Sequence, residues 1–183
     1  MGSTAHLDLD KFTLDGDRLW THRPFGVKVG RHVWSVSTSG YLIVAIRIAD
    51  VFPISPPAAH ITRVKEFLAA PLGPGVELNV EDLLKWAGKL PNEKILPGDV
   101  NDCHAGVLLG HVLDRRKLAW LLTYLGTESV FIWDPSERLG VSCIGFEWDS
   151  GKGRVLLAGL GRGPQEGDSV FEVSSPLDLV TDT

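Results

Sequence analysis

Two stretches of this chain share one pattern, and that pattern restricts the fold more than any other feature. Gly75-Val-Glu-Leu78-Asn79-Val-Glu-Asp-Leu83 and Gly110-His-Val-Leu113-Asp114-Arg-Arg-Lys-Leu118 carry Gly, Leu, a helix-capping residue and Leu at matching offsets. Each reads as a short strand running directly into an N-capped amphipathic helix. The first helix opens with acid, Glu81-Asp82, and the second with base, Arg115-Arg116-Lys117. A helix N-terminus carries about half a positive charge, so each exposed cation there is opposed by roughly 0.3–1 kcal/mol. The basic start therefore points to an anionic partner, although solvent screens exposed charges.

Around the repeated unit the chain alternates between β-rich and helical stretches. Val27–Ser37 alternates apolar and polar residues on either side of a glycine, and Tyr41–Ile48 is β-rich, with Ser39-Gly40 as the turn between them. Arg18–His22 is a further short strand candidate. His60–Ala70 has a helical stripe of Ile61, Val64, Phe67 and Leu68, ended by Pro71 and Gly73. Asn79–Gly88 places Val80, Leu83, Leu84 and Ala87 on one face, residues 89–105 read as loop, and Gly106–Leu113 reads as one strand. Asp114–Leu125 is the strongest helix, with Leu118, Leu121, Leu122 and Leu125 as its stripe and Gly126 as its stop. Strands follow at Val130–Trp133, Val141–Trp148 and Arg154–Leu160, broken by Asp134-Pro135 and Ser150-Gly151. The predicted class is α+β, antiparallel sheet with two or three helices on one face. One domain spans 1–161, and 162–183 reads as an acidic, flexible tail.

Composition narrows the function classes. The 183 residues suffice for one substantial core. No apolar run approaches the ~18–20 residues of a membrane helix, so no membrane partner is expected. No signal peptide is recognisable, and two cysteines are too few for a disulfide framework, which points to a cytoplasmic protein. A net charge of −5 argues against a general nucleic-acid coat, although base gathered on one face would still permit contact.

The segment from Gly106 to Leu160 resembles the last half-domain of a DNA polymerase sliding clamp of the bacterial beta-clamp type. The resemblance is carried by Gly106-Val-Leu-Leu-Gly-His-Val-Leu, by Asp114-Arg-Arg-Lys-Leu-Ala-Trp-Leu-Leu-Thr-Tyr-Leu, and by Ser129-Val-Phe-Ile, Gly140-Val-Ser-Cys-Ile and Gly153-Arg-Val-Leu-Leu-Ala-Gly-Leu. Residues 32–46 are similar to the family's strand pair around a Thr-Asp-Gly turn, with Ser39 where Asp would stand. The family's closing Met-Pro is replaced by Ala158-Gly159, and only Lys89–Leu113 separates the two helices, where the family has three strands. The resemblance implies a non-enzymatic processivity factor or scaffold without cofactors. It would self-assemble around duplex DNA, touch the phosphate backbone, and serve a DNA polymerase or another replication protein. The matching basic positions are Arg115, Arg116 and Lys117, with Lys85 and Lys89 on the first helix. The alternative is a clamp-fold interaction or regulatory module that does not encircle DNA.

Each of these residues also has a plainer reading. Arg115-Arg116-Lys117 can be a solvated helix start. Trp86 and Trp120 lie off the predicted core stripes, and either pack on neighbouring elements or contact a subunit or partner. Pro176-Leu177-Asp178-Leu179-Val180 faintly resembles the Leu-Asp-Leu-Phe type peptides that occupy clamp pockets, which makes Leu177 and Leu179 candidate contacts. Cys103-His104, with His111 or Cys143, is the raw material for a Cys–His nucleophile, the basis of a third reading as a hydrolase. A structural zinc site needs paired short ligand spacings, which the sequence lacks. No metal site and no catalytic residue are expected.

Overall fold

The computed structural model describes residues 7–13, 23–39, 41–47, 56–88 and 104–173. Their strands are β1 (Phe25–Val29), β2 (His32–Thr38), β3 (Leu42–Ile46), β4 (Gly75–Asn79), β5 (Ala105–Leu108), β6 (His111–Asp114), β7 (Ser129–Trp133), β8 (Cys143–Trp148), β9 (Gly153–Ala158) and β10 (Ser169–Val170). The helices are α1 (Ala58–Ala69), α2 (Val80–Ala87), α3 (Arg115–Leu125) and the single turn α4 (Ser136–Leu139), with a 3-10 turn at Leu9–Phe12. Seven strands form one antiparallel sheet in the order β1-β2-β3-β9-β8-β7-β4, and β10-β5-β6 form a second, small one. The class is α+β.

The large sheet is buried on both faces, and a period of two sorts its side chains. Leu42, Val44 and Ile46 of β3 join Val155 and Leu157 of β9 in a core shared with α2 and α3. The intervening Ile43, Ala45 and Leu156 face the other way, into a second core with Val64, Phe67 and Leu68 of α1. Two helices thus share one face, and α1 covers the other. Arg154 fixes α1 from within: its guanidinium donates to the carbonyls of Leu68 and Ala70, each at 3.0 Å, and to Glu147 at 2.9 Å. That places a cation on the C-terminal carbonyls of α1, where the helix dipole favours it.

The repeated strand-to-helix unit takes the form its sequence dictates. β4 runs into α2 with Asn79 accepting from the Asp82 N–H, and β6 runs into α3 with Asp114 accepting from the Arg116 N–H. The two helices pack side by side. The single strand expected over Gly106–Leu113 is instead a hairpin. Leu109 and Gly110 take φ of 48° and 79° and reverse the chain between β5 and β6. Positive φ at two successive residues is the geometry of a tight mirror-image turn, which a continuous apolar run conceals.

The expected flexible tail is also corrected for its first part. Residues 162–173 belong to the fold: β10 pairs in parallel with β5, and Phe171 and Val173 pack against the main core. Acidic composition does not prevent docking when one acid has a guanidinium partner and one aromatic residue has a slot. Positions 174–183, with Leu177 and Leu179, lie outside the described residues, as do Lys89, Cys103 and the strand candidate Arg18–His22.

Candidate functional site

The residues singled out by sequence gather on α2, α3 and the small sheet, and most of them are occupied within the molecule. Asp114, almost fully buried, receives the Arg116 backbone N–H at 2.9 Å and grips its guanidinium through Nε at 3.2 Å and Nη2 at 2.9 Å. The anion that the basic helix start called for is the chain's own cap. Lys117 is buried, with its ammonium 4.1 Å from the centre of the Tyr41 ring. The environment of Tyr41 pushes its phenol above its ordinary value, burial first and the charge of Asp114 second among the raising influences, while the nearby Ser39 hydroxyl opposes them. Arg115 is half-buried and donates from Nη1 to the Trp86 carbonyl at 3.2 Å. Lys85 is exposed and bridges Glu81 at 3.1 Å and Asp82 at 3.8 Å. The proposed phosphate contacts at Arg115, Arg116 and Lys117 are therefore geometrically compromised, because duplex DNA attracts cations that are open to solvent, whereas Lys85 stays open beside two surface carboxylates.

The two tryptophans turn inward for the same reason: other segments cover them. Trp120 lies opposite the leucine stripe of α3 yet is only 7 % exposed, because Phe12 of the N-terminal turn meets it edge-on at 5.3 Å and Tyr124 at 5.2 Å. Trp86 stands edge-on to Phe171 at 5.5 Å and donates its Nε1–H to Ser169 Oγ at 3.0 Å. In the described structure both serve as packing anchors rather than as open partner contacts.

Sequence reasoning missed a hydrogen-bonded chain of Ser142, His111 and Asp134. His111 Nδ1 lies 2.9 Å from Ser142 Oγ, and Nε2 lies 2.8 Å from Asp134 Oδ2. Asp134 Oδ1 also accepts the Ser136 N–H at 2.8 Å. Partial burial opposes the Asp134 charge, but hydrogen bonds from Ser136 and His111 outweigh it and hold the carboxyl below its ordinary value. An ionised Asp134 fixes the hydrogen on Nε2, so Nδ1 accepts from Ser142. The Ser142 hydroxyl packs against Gly159, whose N–H donates to the Ser142 carbonyl at 2.8 Å. The arrangement ties the β5–β6 hairpin to the large sheet. Three residues this far apart in sequence leave no local signal; strand register alone assembles them.

Beside this link, Cys143 is buried and its thiol is pushed up to about 12, mainly by burial. It packs in the core that faces α1. His104 is half-buried ahead of β5, and no group of His, Cys, Asp and Glu among the described residues is arranged to hold a metal ion.

What remains open is the two ends of the large sheet. Among the described residues, β1 pairs only with β2 and β4 only with β7, so each offers an unpaired edge. The β1 end carries exposed Arg23, Lys28 and Arg31. Nearby, the pKa of His32 is lowered by desolvation first, then by Arg47 and then by Arg31. The β4 end carries exposed Glu77, Glu81, Asp82 and Glu128. A concavity beside it is lined by Glu77, Glu128, Glu147 and Asp149.

Compared with known proteins, the chain matches no family model, no curated protein and no solved structure. No helix among the described residues is long and apolar enough to cross a membrane.

Proposed function

We propose that the chain is a non-catalytic scaffold of the sliding-clamp type that associates with copies of itself edge to edge. One observation carries the reading: among the described residues, one seven-stranded sheet ends in two strands that pair on one side only and carry opposite charge. Open edges are templates for strand pairing, and β1 of one copy meeting β4 of the next satisfies both. The charges favour this head-to-tail contact over like edges meeting, and a heterologous contact of this kind closes into a ring when its rotation allows.

Of the two forms of this scaffold, the interaction module that does not encircle DNA has the better physical support. The cations on α2 and α3 that would face a duplex are bridged by Glu81, Asp82 and Asp114 or buried against Tyr41. A DNA-encircling assembly serving a polymerase would have to draw its phosphate contacts from elsewhere on the chain.

Light scattering at low and high salt tests the assembly, and a duplex titration across the same salt range tests the DNA arm. The expected mass is a multiple of the protomer's that falls as salt rises. Arg115→Ala with Arg116→Ala leaves any salt slope of DNA binding unchanged, since neither charge is open to phosphate. A monomer at every salt concentration overturns the assembly, and a flattened slope restores α3 as a DNA contact.

A further inference from the structure

The last described segment of the chain sits in a groove that has the features of a peptide-binding site. Ser169 and Val170 lie opposite Gly106 and Val107 as a parallel strand on the outer edge of β5, and the Phe171 N–H donates to the Val107 carbonyl at 2.9 Å. Trp86 forms one wall, giving its indole N–H to Ser169 Oγ at 3.0 Å and its ring to Phe171. Arg115 flanks the floor, which is Gly106: a Cβ there would fall 2.6 Å from Trp86 Cζ2 and 2.7 Å from Arg115 Cδ. Only glycine leaves the slot its depth.

The occupant is short and is tied down at its base by a clasp. Arg162 grips Asp168 through Nη1 at 2.8 Å and Nη2 at 2.9 Å, and the Gln165 N–H adds a third bond to the same carboxylate at 2.8 Å. The clasp holds the Asp168 carboxyl at about 2, the Arg162 hydrogen bonds being the largest cause. Gly161 and Gly167 flank the loop with φ of 75° and 92°. Beyond the clasp the strap is a two-residue strand followed by Phe171 and Val173, which pack against the main core, and Val170 faces outward at 52 % exposure.

We propose that the Trp86–Gly106 groove is a recognition site for an extended peptide of a partner protein, and that the strap at 169–173 is its built-in competitor. The peptide adds a strand to β5, offers a hydroxyl side chain to the Trp86 indole, and two positions later places an aromatic ring against it. These are the strap's own contacts, and strand addition with alternate side chains in pockets is an established way of binding peptides. Tethering gives the strap an effective concentration on the order of millimolar, so a free peptide of equal affinity competes poorly while the clasp holds. The proposal does not depend on self-association or on DNA.

The test uses the full chain and a fluorescein-labelled peptide corresponding to residues 167–173, followed by anisotropy and by tryptophan emission. The variant Asp168→Ala with Phe171→Ala opens the clasp and empties the slot. It is expected to bind the peptide at least tenfold more tightly than the unaltered chain does. A peptide with alanine in place of its phenylalanine loses that binding. Arg162→Gln loosens the clasp with the slot and Phe171 intact, gives a smaller gain, and carries the test if the double variant fails to fold. Equal peptide binding by all three chains, no binding by either folded variant, or a strap that moves only into a second copy with a matching rise in mass overturns the proposal.

Discussion

Asp114 performs two functions with one carboxylate, and this governs how α3 begins. It caps the helix and neutralises Arg116, so the basic first turn that opposes the helix dipole is answered from inside the chain. Asp134 works similarly for the β7–β8 connection, and its depressed pKa gives a pH signature. A carboxyl whose folded value lies below its unfolded value of about 3.9 contributes stability above that pH and loses the contribution as pH falls through the folded value. The melting temperatures of the protein and of Asp134→Asn should therefore differ at about pH 5 and above, and the gap should close as pH falls below that unfolded value and through the lower folded one. Thermal melts across this range check it; a gap that persists at the acid end would mean the Asp134 charge is not what holds the link.

At the scale of elements, Arg154 is the cation that joins α1 to the sheet. Its side chain is only 10 % exposed, it bridges Glu147, and it takes both carbonyls at the end of α1. Removing one member of a buried ion pair leaves the other uncompensated, at a cost of about 3–5 kcal/mol. Arg154→Ala should lower the urea midpoint accordingly, and Glu147→Gln with Arg154→Met should recover much of the loss because both charges are then gone. The hydrophobic stripes of α2 and α3 behave more simply. Leu118 and Leu121 are fully buried, and Leu→Ala at either should cost about 2–5 kcal/mol.

Across the whole molecule, the sheet separates its charge toward opposite edges. If β1 meets β4 of a neighbouring copy, reversing one end weakens the contact and reversing both ends restores it. Lys28→Glu with Arg31→Glu should lower the assembly mass at low salt, as should Glu77→Lys with Glu128→Lys. An equimolar mixture of the two variants should regain it, since each edge then meets one of opposite charge, and the chain carrying all four changes should regain it as well. Sedimentation velocity reads all four cases. The effect should fade above ~0.15 M salt, where the Debye length is about 8 Å.

The order of residues encodes the strand-to-helix units, their caps, the antiparallel pairs around them and the α+β class. Those features rest on periodicity and capping chemistry within a few residues of one another, so local order encodes them. It also marked Arg115, Arg116, Lys117, Trp86 and Trp120 as distinctive, but their surroundings could not be read there. Whether a cation faces solvent or a carboxylate depends on which segment folds over it. Phe12 reaches Trp120, Phe171 reaches Trp86, and Tyr41 lies under Lys117, each from far along the chain. Tertiary structure alone also divided Gly106–Leu113 into a hairpin, joined Ser142 to His111 and Asp134, and set acid and base at opposite sheet edges. In each case the deciding contact links distant residues, and such contacts exist only once the strands have taken their register.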